Sequence, residues 1–305
     1  MSIDRRTLRC LLLLGVASLG RPTLAAGPTL FATPDAATDA LVAASRTGKV
    51  SNVLTVLGSG AKSLLGSGDP VADAAGLQHF VELYDQRHRL QAETETSRTI
   101  VLGNDDWPFP IPLVKGKSGW SFDAKAGEAE ILARRVGQNE LDAIQVCLGY
   151  FNAQGDYRGR NPEGASVPHY ADRLISSPGK RDGLYWPAGK DEPESPMGPA
   201  VGGARQAGYA LEHGKQTPYR GYFYKILGAQ GPKAEGGARS YKMDGKLVAG
   251  FALVAYPAKY GSSGVKTFLV NQSGVVLQKD LGRDTTKKAA ALTRYDPDGS
   301  WTPAE

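Results

Sequence analysis

Apolar residues recur at helical spacing in the first third of the chain. Thr33 followed by Pro34 is typical of a helix start, because the threonine hydroxyl caps free N–H groups and proline fits the first turn. The same spacing predicts a second helix over 53–65 and a third from Pro70 through His88. Segments of strand composition follow at 91–96, 98–102, 109–115 and 119–123. We therefore expect helices that pack on an antiparallel sheet.

A second helical pattern runs from Gly127 to Tyr157. Apolar residues occupy one side of this segment and charged residues the other, which predicts a single long amphipathic helix in the interior of the chain. The next segment, from Pro178 to Pro218, is rich in proline and glycine. That composition predicts a long loop.

The last third of the chain alternates in the manner of β-strands. Asp244-Gly245 is a strong signal for a two-residue hairpin turn. The predicted strands lie at 222–226, 247–256, 265–270 and 275–279, and a helix is predicted at 284–294. Together these elements predict an antiparallel β-meander with a helix behind it.

The order of the elements predicts an α+β fold, because helices and antiparallel strands occur in separate blocks. We divide the chain into a signal peptide at 1–26, a first α+β domain at 27–125 and a second at 126–305. The second domain is expected to contain the long helix, the loop rich in proline and glycine, and the antiparallel sheet.

The first 26 residues have the composition of an export signal. Arg5 and Arg6 precede an apolar run at 11–16, and Ala25 and Ala26 offer small residues for cleavage. The run is far shorter than the roughly 20 residues that span a bilayer, so no stable membrane span is expected after cleavage. The pattern predicts a periplasmic or secreted protein, and the paired arginines leave open a twin-arginine export route.

Removal of the signal would also remove Cys10 and leave Cys147 as the remaining cysteine. No internal disulfide is then possible, and we expect Cys147 to be a small buried residue of the long helix. The formal net charge is +5, but the chain contains no long run of lysines and arginines, so a nucleic-acid partner is not expected. None of the four histidines is spaced from another possible ligand as a metal site requires, so we expect neither a metal nor a cofactor. These histidines are His79, His88, His169 and His213.

One segment, residues 176–187, concentrates charges and large aromatic rings within the predicted loop. Its candidate binding residues are Lys180, Arg181, Asp182, Tyr185 and Trp186. Such a mixture is typical of a ligand or partner surface. The alternative is that the two rings fill the core while the charges form local ion pairs.

A second candidate cluster consists of Asp105, Asp106 and Trp107, which combines two carboxylates with an aromatic ring. It could belong to the same kind of binding surface. The alternative is a structural bend, because prolines follow directly.

Long strings of residues at 105–113, 139–147, 175–187 and 250–257 resemble the bacterial family called domain of unknown function 2950. The resemblance covers nearly all of the mature chain. It implies no catalytic residue, because none is assigned in that family.

Two resemblances of fold concern the separate halves. Residues 33–123, with three helices before a strand that ends in Trp120, Ser121, Phe122 and Asp123, resemble the cone-shaped nuclear-transport-factor-2-like domains. The remainder resembles the globular heads of type IV pilins and pseudopilins. The signal lacks the pilin processing site, so the resemblance does not imply filament assembly.

We therefore expect an exported envelope protein that acts as a non-enzymatic binding or assembly module for an envelope protein or a small ligand. The 176–187 segment should then lie at a groove, with Lys180, Arg181 and Trp186 partly exposed. The alternative is a periplasmic hydrolase of cell-wall or saccharide material, which needs two carboxyl groups facing each other across a pocket. Carboxylates such as Asp105, Asp106 or Asp182 would supply the acid and the base.

Overall fold

The computed structural model describes residues 27–210, 212 and 216–304, and its helices and antiparallel sheets make the protein α+β. The predicted signal peptide at 1–26 and His213 lie outside the described residues.

The first helix confirms the predicted start signal, because the Thr33 hydroxyl accepts a hydrogen bond from the Ala36 N–H at 3.1 Å. The prediction of one helix over 53–65 is wrong. Gly58 interrupts it with φ 85°, and a Cβ atom there would lie 2.7 Å from the backbone nitrogen of Pro28. The first helices are α1 (Pro34–Arg46), α2 (Val50–Leu57), a 3-10 turn (Ser59–Ala61), α3 (Lys62–Leu65) and α4 (Pro70–Gln86).

Helix α4 ends at Gln86, so the predicted helical position of His88 is wrong: His88 opens the first strand. The first sheet has the order β1-β2-β4-β5, and β3 also pairs with β2. Helices α1, α2 and α4 cover it and bury a core that includes Leu41, Phe80 and Phe122. The strands are β1 (His88–Thr94), β2 (Ser97–Leu102), β3 (Trp107–Pro108), β4 (Leu113–Gly116) and β5 (Gly119–Phe122).

The predicted long helix is confirmed as α5 (Glu128–Arg160). Its buried face differs from the predicted apolar stripe, because Leu141 is 56% exposed while the polar Asn139 and Gln154 are buried. The amide nitrogen of Gln154 donates to Tyr150 Oη and to the Ala171 carbonyl, which explains why a polar side chain is accepted there.

The segment 178–218, predicted as a long loop, contains a helix that the sequence did not predict, α6 (Gly198–Gln206). Proline is tolerated in the first turn of a helix, where its missing N–H has no intrahelical partner. Burial of Val201 and Ala204 then holds this helix against the rest of the protein.

The second sheet confirms the predicted antiparallel meander and has the order β14-β13-β12-β11-β6. The predicted hairpin turn is also confirmed, with φ 48° at Asp244 and 80° at Gly245. The remaining helix is shorter than predicted, α7 (Thr285–Ala290). The strands are β6 (Tyr222–Leu227), β7 (Ala229–Gln230), β8 (Arg239–Ser240), β9 (Lys242–Met243), β10 (Lys246–Leu247), β11 (Ala252–Pro257), β12 (Lys266–Asn271), β13 (Leu277–Asp280) and β14 (Thr302–Pro303).

Strand β11 is buried on both faces, since alternate residues of a strand point in opposite directions. Leu253 and Ala255 belong to the core that contains Cys147 and Tyr150 of α5. Ala252 and Val254 belong to the core that contains Ala289 of α7. The central strand therefore separates two apolar layers.

The buried carboxylate of Asp69 joins the two sheet regions. One oxygen, Oδ1, accepts from the N–H groups of Val71 and Ala72 and caps α4. The other, Oδ2, accepts from Tyr209 Oη at 3.0 Å and from the Gly221 N–H at 2.9 Å. The start of a helix in the first region thus depends on the same side chain as a turn that leads into β6.

Candidate functional site

The 176–187 loop is closed at its base by backbone hydrogen bonds. Leu184 N–H donates to the Arg173 carbonyl, and Ser176 N–H donates to the Tyr185 carbonyl at 2.8 Å. Gly183 is buried inside this closure, where a Cβ atom would lie 2.8 Å from the Ser176 nitrogen. Backbone pairing and tight packing therefore fix the path of the loop.

Asp182 holds the loop from within. Its carboxylate accepts from both the backbone N–H and the hydroxyl of Ser177, each at 2.8 Å, and Arg173 lies 3.4 Å away. Burial raises the pKa of Asp182, but the Ser177 hydrogen bonds and the Arg173 charge outweigh it, so the pKa lies below its ordinary value. Asp182 is consequently a structural anion of the loop.

Trp186 is only 7% exposed, so the expectation that it is partly exposed is wrong. Its ring packs edge-on against Tyr157 in the second core, with 6.3 Å between the ring centroids. The Arg181 guanidinium lies over the same ring, at 5.8 Å from its centroid, and pairs with Glu192 at 2.8 Å. The tryptophan fills the core, as the alternative interpretation holds.

Lys180 and Arg181 are both exposed and both line a cavity of about 620 Å³, which we call the small cavity. Tyr185 lies on another side of it, where its hydroxyl accepts from Arg205 at 2.8 Å. Asp182 is not among the lining residues. The structure thus brings four of the five loop candidates together around one cavity and keeps the fifth inside the loop.

A larger opening of about 840 Å³, which we call the large cleft, adjoins the small cavity and shares Ile175 with it. Its walls come from α5, the segment 172–175, α6 with the residues before it, and β6 with the residues before it. The partly exposed residues Val146, Leu174 and Ile226 supply apolar surface. The 176–187 loop therefore stands beside this cleft.

Three cations among the described residues line the large cleft, and all three are bonded to the protein. Arg220 donates to Asp142 at 2.9 Å, and this bond raises the pKa of Arg220. Arg173 pairs with Asp172 at 3.1 Å. The Lys225 ammonium donates to the carbonyls of residues 290 and 292 at 2.7 and 2.8 Å. The cleft consequently offers a ligand more apolar surface than unpaired positive charge.

Tyr224 on β6 lines the large cleft, and its hydroxyl is buried without a hydrogen-bond partner among the described residues. Burial raises the pKa of this phenol well above its ordinary value, so it is neutral at any physiological pH. An unpartnered buried hydroxyl is uncommon, because it gives up hydrogen bonds to water.

The second candidate cluster lies elsewhere, at the turn after β2 in the first region. Asp106 adopts φ 52° and sits 3.8 and 3.7 Å from the guanidinium nitrogens of Arg87 and Arg89. The Trp107 ring lies under the guanidinium of Arg134, at 4.9 Å. Asp105 is exposed. None of these acidic or aromatic residues lines the small cavity or the large cleft.

Cys147 is fully buried on α5, which confirms the prediction from the sequence. Burial raises the pKa of its thiol to about 12, so the nucleophilic thiolate is not populated at neutral pH. Within 27–210, 212 and 216–304, no group of three metal-binding side chains is placed to hold an ion. No helix in that part of the chain is both long and apolar enough to cross a membrane.

Sequence reasoning missed the residues of the large cleft. The alternation in β6 was recognised, but its position at a sheet edge depends on pairing with β11, about thirty residues further along. Gly149 is exposed in the middle of α5 with nothing within 4 Å of an added Cβ atom. A glycine in a helix interior is unfavourable, and that was the available signal.

The fold and the cleft define an α+β protein with a ligand-sized opening between its long helix and the edge of its second sheet. A family profile described as "Protein of unknown function (DUF2950)" matches residues 28–304. The chain belongs to this family, which confirms the resemblance seen in the sequence. No curated protein and no solved structure matches the chain. The two resemblances of fold, and the domain boundary after residue 125, stay predictions.

Proposed function

We propose that the protein is exported and works in the cell envelope as a non-enzymatic binding module, whose ligand or partner segment occupies the large cleft. The export signal lies outside the described residues, but the family match begins at residue 28, directly after the predicted signal at 1–26. A conserved unit that starts where a signal ends supports cleavage there.

The observation that carries the binding function is the large cleft itself. A volume of about 840 Å³ lies within the range of small-molecule and peptide sites, roughly 300 to 1,000 Å³. Its apolar walls carry a few polar groups, a combination that gives affinity and orientation to a bound ligand. The 176–187 loop borders the opening and is held rigidly enough to shape it.

The hydrolase alternative has less support from the geometry. The carboxylates named from the sequence, Asp105, Asp106 and Asp182, line neither cavity. Asp142 and Asp172 do line the large cleft, but each is paired with an arginine. Asp182 also has a lowered pKa and is ionised at neutral pH, whereas a general acid must carry a proton. A carboxylate pair of that reaction has to flank the substrate.

Photo-cross-linking in living cells tests the binding function. A photoreactive phenylalanine analogue replaces Gly149, which lines the cleft, or Gly155, which lies on the same helix, is exposed, and lines neither cavity. Both positions have open space for a side chain. We expect a cross-linked adduct from position 149 and none from position 155. Equal adducts from both positions, or none from either, would count against the cleft.

The double variant Lys180→Ala and Arg181→Ala, combined with the probe at position 149, asks whether the loop contributes. Both cations line the neighbouring small cavity, so a partner that extends beyond the cleft should cross-link less efficiently in this variant. Release of saccharide or muropeptide fragments by the purified protein, lost in Asp182→Asn, would favour the hydrolase instead.

Fractionation of cells tests the export. We expect the protein in the envelope fraction, with an amino terminus near Ala26 or Gly27 by mass spectrometry. An intact chain that begins at Met1 and remains in the cytosol would contradict this part of the proposal.

A further inference from the structure

Among the described strands, β6 is the outer strand of the second sheet. It pairs with β11 along its length, and its first residue, Tyr222, also forms a bridge with Tyr219. An edge strand directs half of its backbone N–H and C=O groups away from its neighbour. Three residues of β6, Tyr224 to Ile226, line the large cleft. The direction of their backbone groups therefore decides what the cleft can bind.

That direction follows from Tyr222. Its N–H and its carbonyl both bond to Tyr219, at 3.1 and 2.8 Å, so both point away from β11. Its partner on β11 is Pro257, which has no N–H to give. Antiparallel pairs alternate between bonded and non-bonded, and β6 pairs with β11 without a bulge. Tyr224 and Ile226 consequently direct their backbone groups outward as well.

On either side of these two residues, the backbone groups that point away from β11 already form hydrogen bonds within the protein. Tyr222 bonds to Tyr219, and beyond β6 the carbonyl of Gly228 accepts from the Tyr241 N–H at 3.0 Å. Tyr224 and Ile226 have no such backbone partner in the part of the chain that the structure describes. Two N–H and two C=O groups, on residues about 7 Å apart, are thus left at the cleft.

Four alternating backbone groups on an open strand edge match the backbone of another extended peptide. The cations that line the described part of the cleft are already bonded within the protein, so they offer little to an anionic small molecule. Partly exposed apolar residues of the cleft, such as Val146 and Leu174, can receive alternate side chains of such a peptide. Tyr219 and Tyr241 close the edge at both ends, which limits the added strand to a few residues.

We propose that a short extended segment of another envelope polypeptide adds to β6 as a sixth strand, hydrogen-bonded to the backbone of Tyr224 and Ile226. This inference rests on the proposed binding function and names its ligand class. Apolar side chains of the segment, two residues apart, enter the large cleft. The closed ends of the edge favour a peptide tail over the sheet of a second copy.

The test begins with a displayed library of random heptapeptides selected on the full exported chain. The enriched peptide is synthesised in three forms. One is unmodified, one is N-methylated at the odd-numbered residues, and one is N-methylated at the even-numbered residues. We expect one methylated form to lose at least about tenfold in affinity for each hydrogen bond removed, and the other to bind normally.

Amide hydrogen exchange supplies the second measurement. Lys225 bonds to β11 and should exchange slowly with or without peptide, while Tyr224 and Ile226 should exchange rapidly and become at least about tenfold slower when peptide is added. The variant Gly149→Trp should abolish peptide binding by filling the cleft, and the matched variant Gly155→Trp should retain it.

The outcomes separate this inference from the proposed function. If binding is lost in Gly149→Trp, yet both methylated forms bind normally and exchange is unchanged, strand addition is wrong while the cleft remains a binding site. If no selected peptide depends on position 149, the peptide proposal is overturned. Dimers by light scattering that protect Tyr224 and Ile226 without peptide would replace the peptide with a second copy.

Discussion

The small cavity and the large cleft lie side by side but use their polar groups differently. Around the small cavity, Arg181 pairs with Glu192, and Asp182 beneath it binds Ser177 and Arg173. At the large cleft, backbone groups of β6 have no partner in the described chain. Polar groups left unsatisfied by the fold cost free energy, so they indicate where a ligand completes the structure. A concentration of charged side chains alone does not indicate a ligand site, because the charges can pair with one another.

The largest effect should come from the buried closure of the loop beside the small cavity. Gly183→Val places a side chain against Ser176, Ile175 and Arg173, with contacts below 3 Å already at Cβ. We expect the free energy of unfolding to fall by about 3 kcal/mol, measured by urea denaturation. An unchanged midpoint would show that the loop repacks and is less rigid than its hydrogen bonds indicate.

Asp182→Asn should lower the free energy of unfolding by about 2 kcal/mol at pH 7, because charge-assisted bonds to Ser177 and Arg173 are lost. The folded pKa of Asp182 lies below its ordinary value, so its contribution is present above the unfolded pKa near 4 and is lost as pH falls through the folded pKa. Unfolding measured from pH 7 to pH 3 should show the two proteins converging. A constant difference across this range would contradict the role of ionised Asp182.

Gly149→Ala in the large cleft should raise the free energy of unfolding rather than lower it. The added methyl group meets no atom within 4 Å, and alanine is the better helix former. We expect a gain of about 0.7 kcal/mol in thermal or urea unfolding. Gly155→Ala is the matched control and should gain a similar amount, since it shares the helix and the open surroundings.

The smallest effect is expected from Lys180→Ala. This side chain is exposed at the small cavity, and surface substitutions usually change stability by no more than about 0.5 kcal/mol. The unfolding midpoint should therefore stay within error of the wild type. A larger loss would mean that Lys180 helps to hold the loop, and its use as a probe of partner binding would then be compromised.

Elements with local signals were predictable from the sequence. The capped start of α1, the long amphipathic α5 and the Asp244-Gly245 turn all depend on residues close to one another. Helix α6 was missed because its three glycines and its proline oppose helix formation, whereas the burial of Val201 and Ala204 in the folded protein favours it. Tertiary packing there overrides local propensity.

The candidate site was predictable only in part. The 176–187 loop was singled out by its composition, and its cations do line a cavity. The sequence could not show that Trp186 faces inward, since the same ring can serve a core or an interface. The open edge of β6 was beyond reach, because an edge is defined by which strands do not pair with it.

The Asp69 carboxylate has a practical consequence for dissecting the protein. A fragment cut near residue 125 would keep Asp69 as the cap of α4 but lose Tyr209 and Gly221, so half of a buried anion would be left without donors. The complementary fragment would lose the acceptor for the turn that leads into β6. Autonomous folding of either half is therefore disfavoured, and co-expressed halves that reassociate should restore these hydrogen bonds.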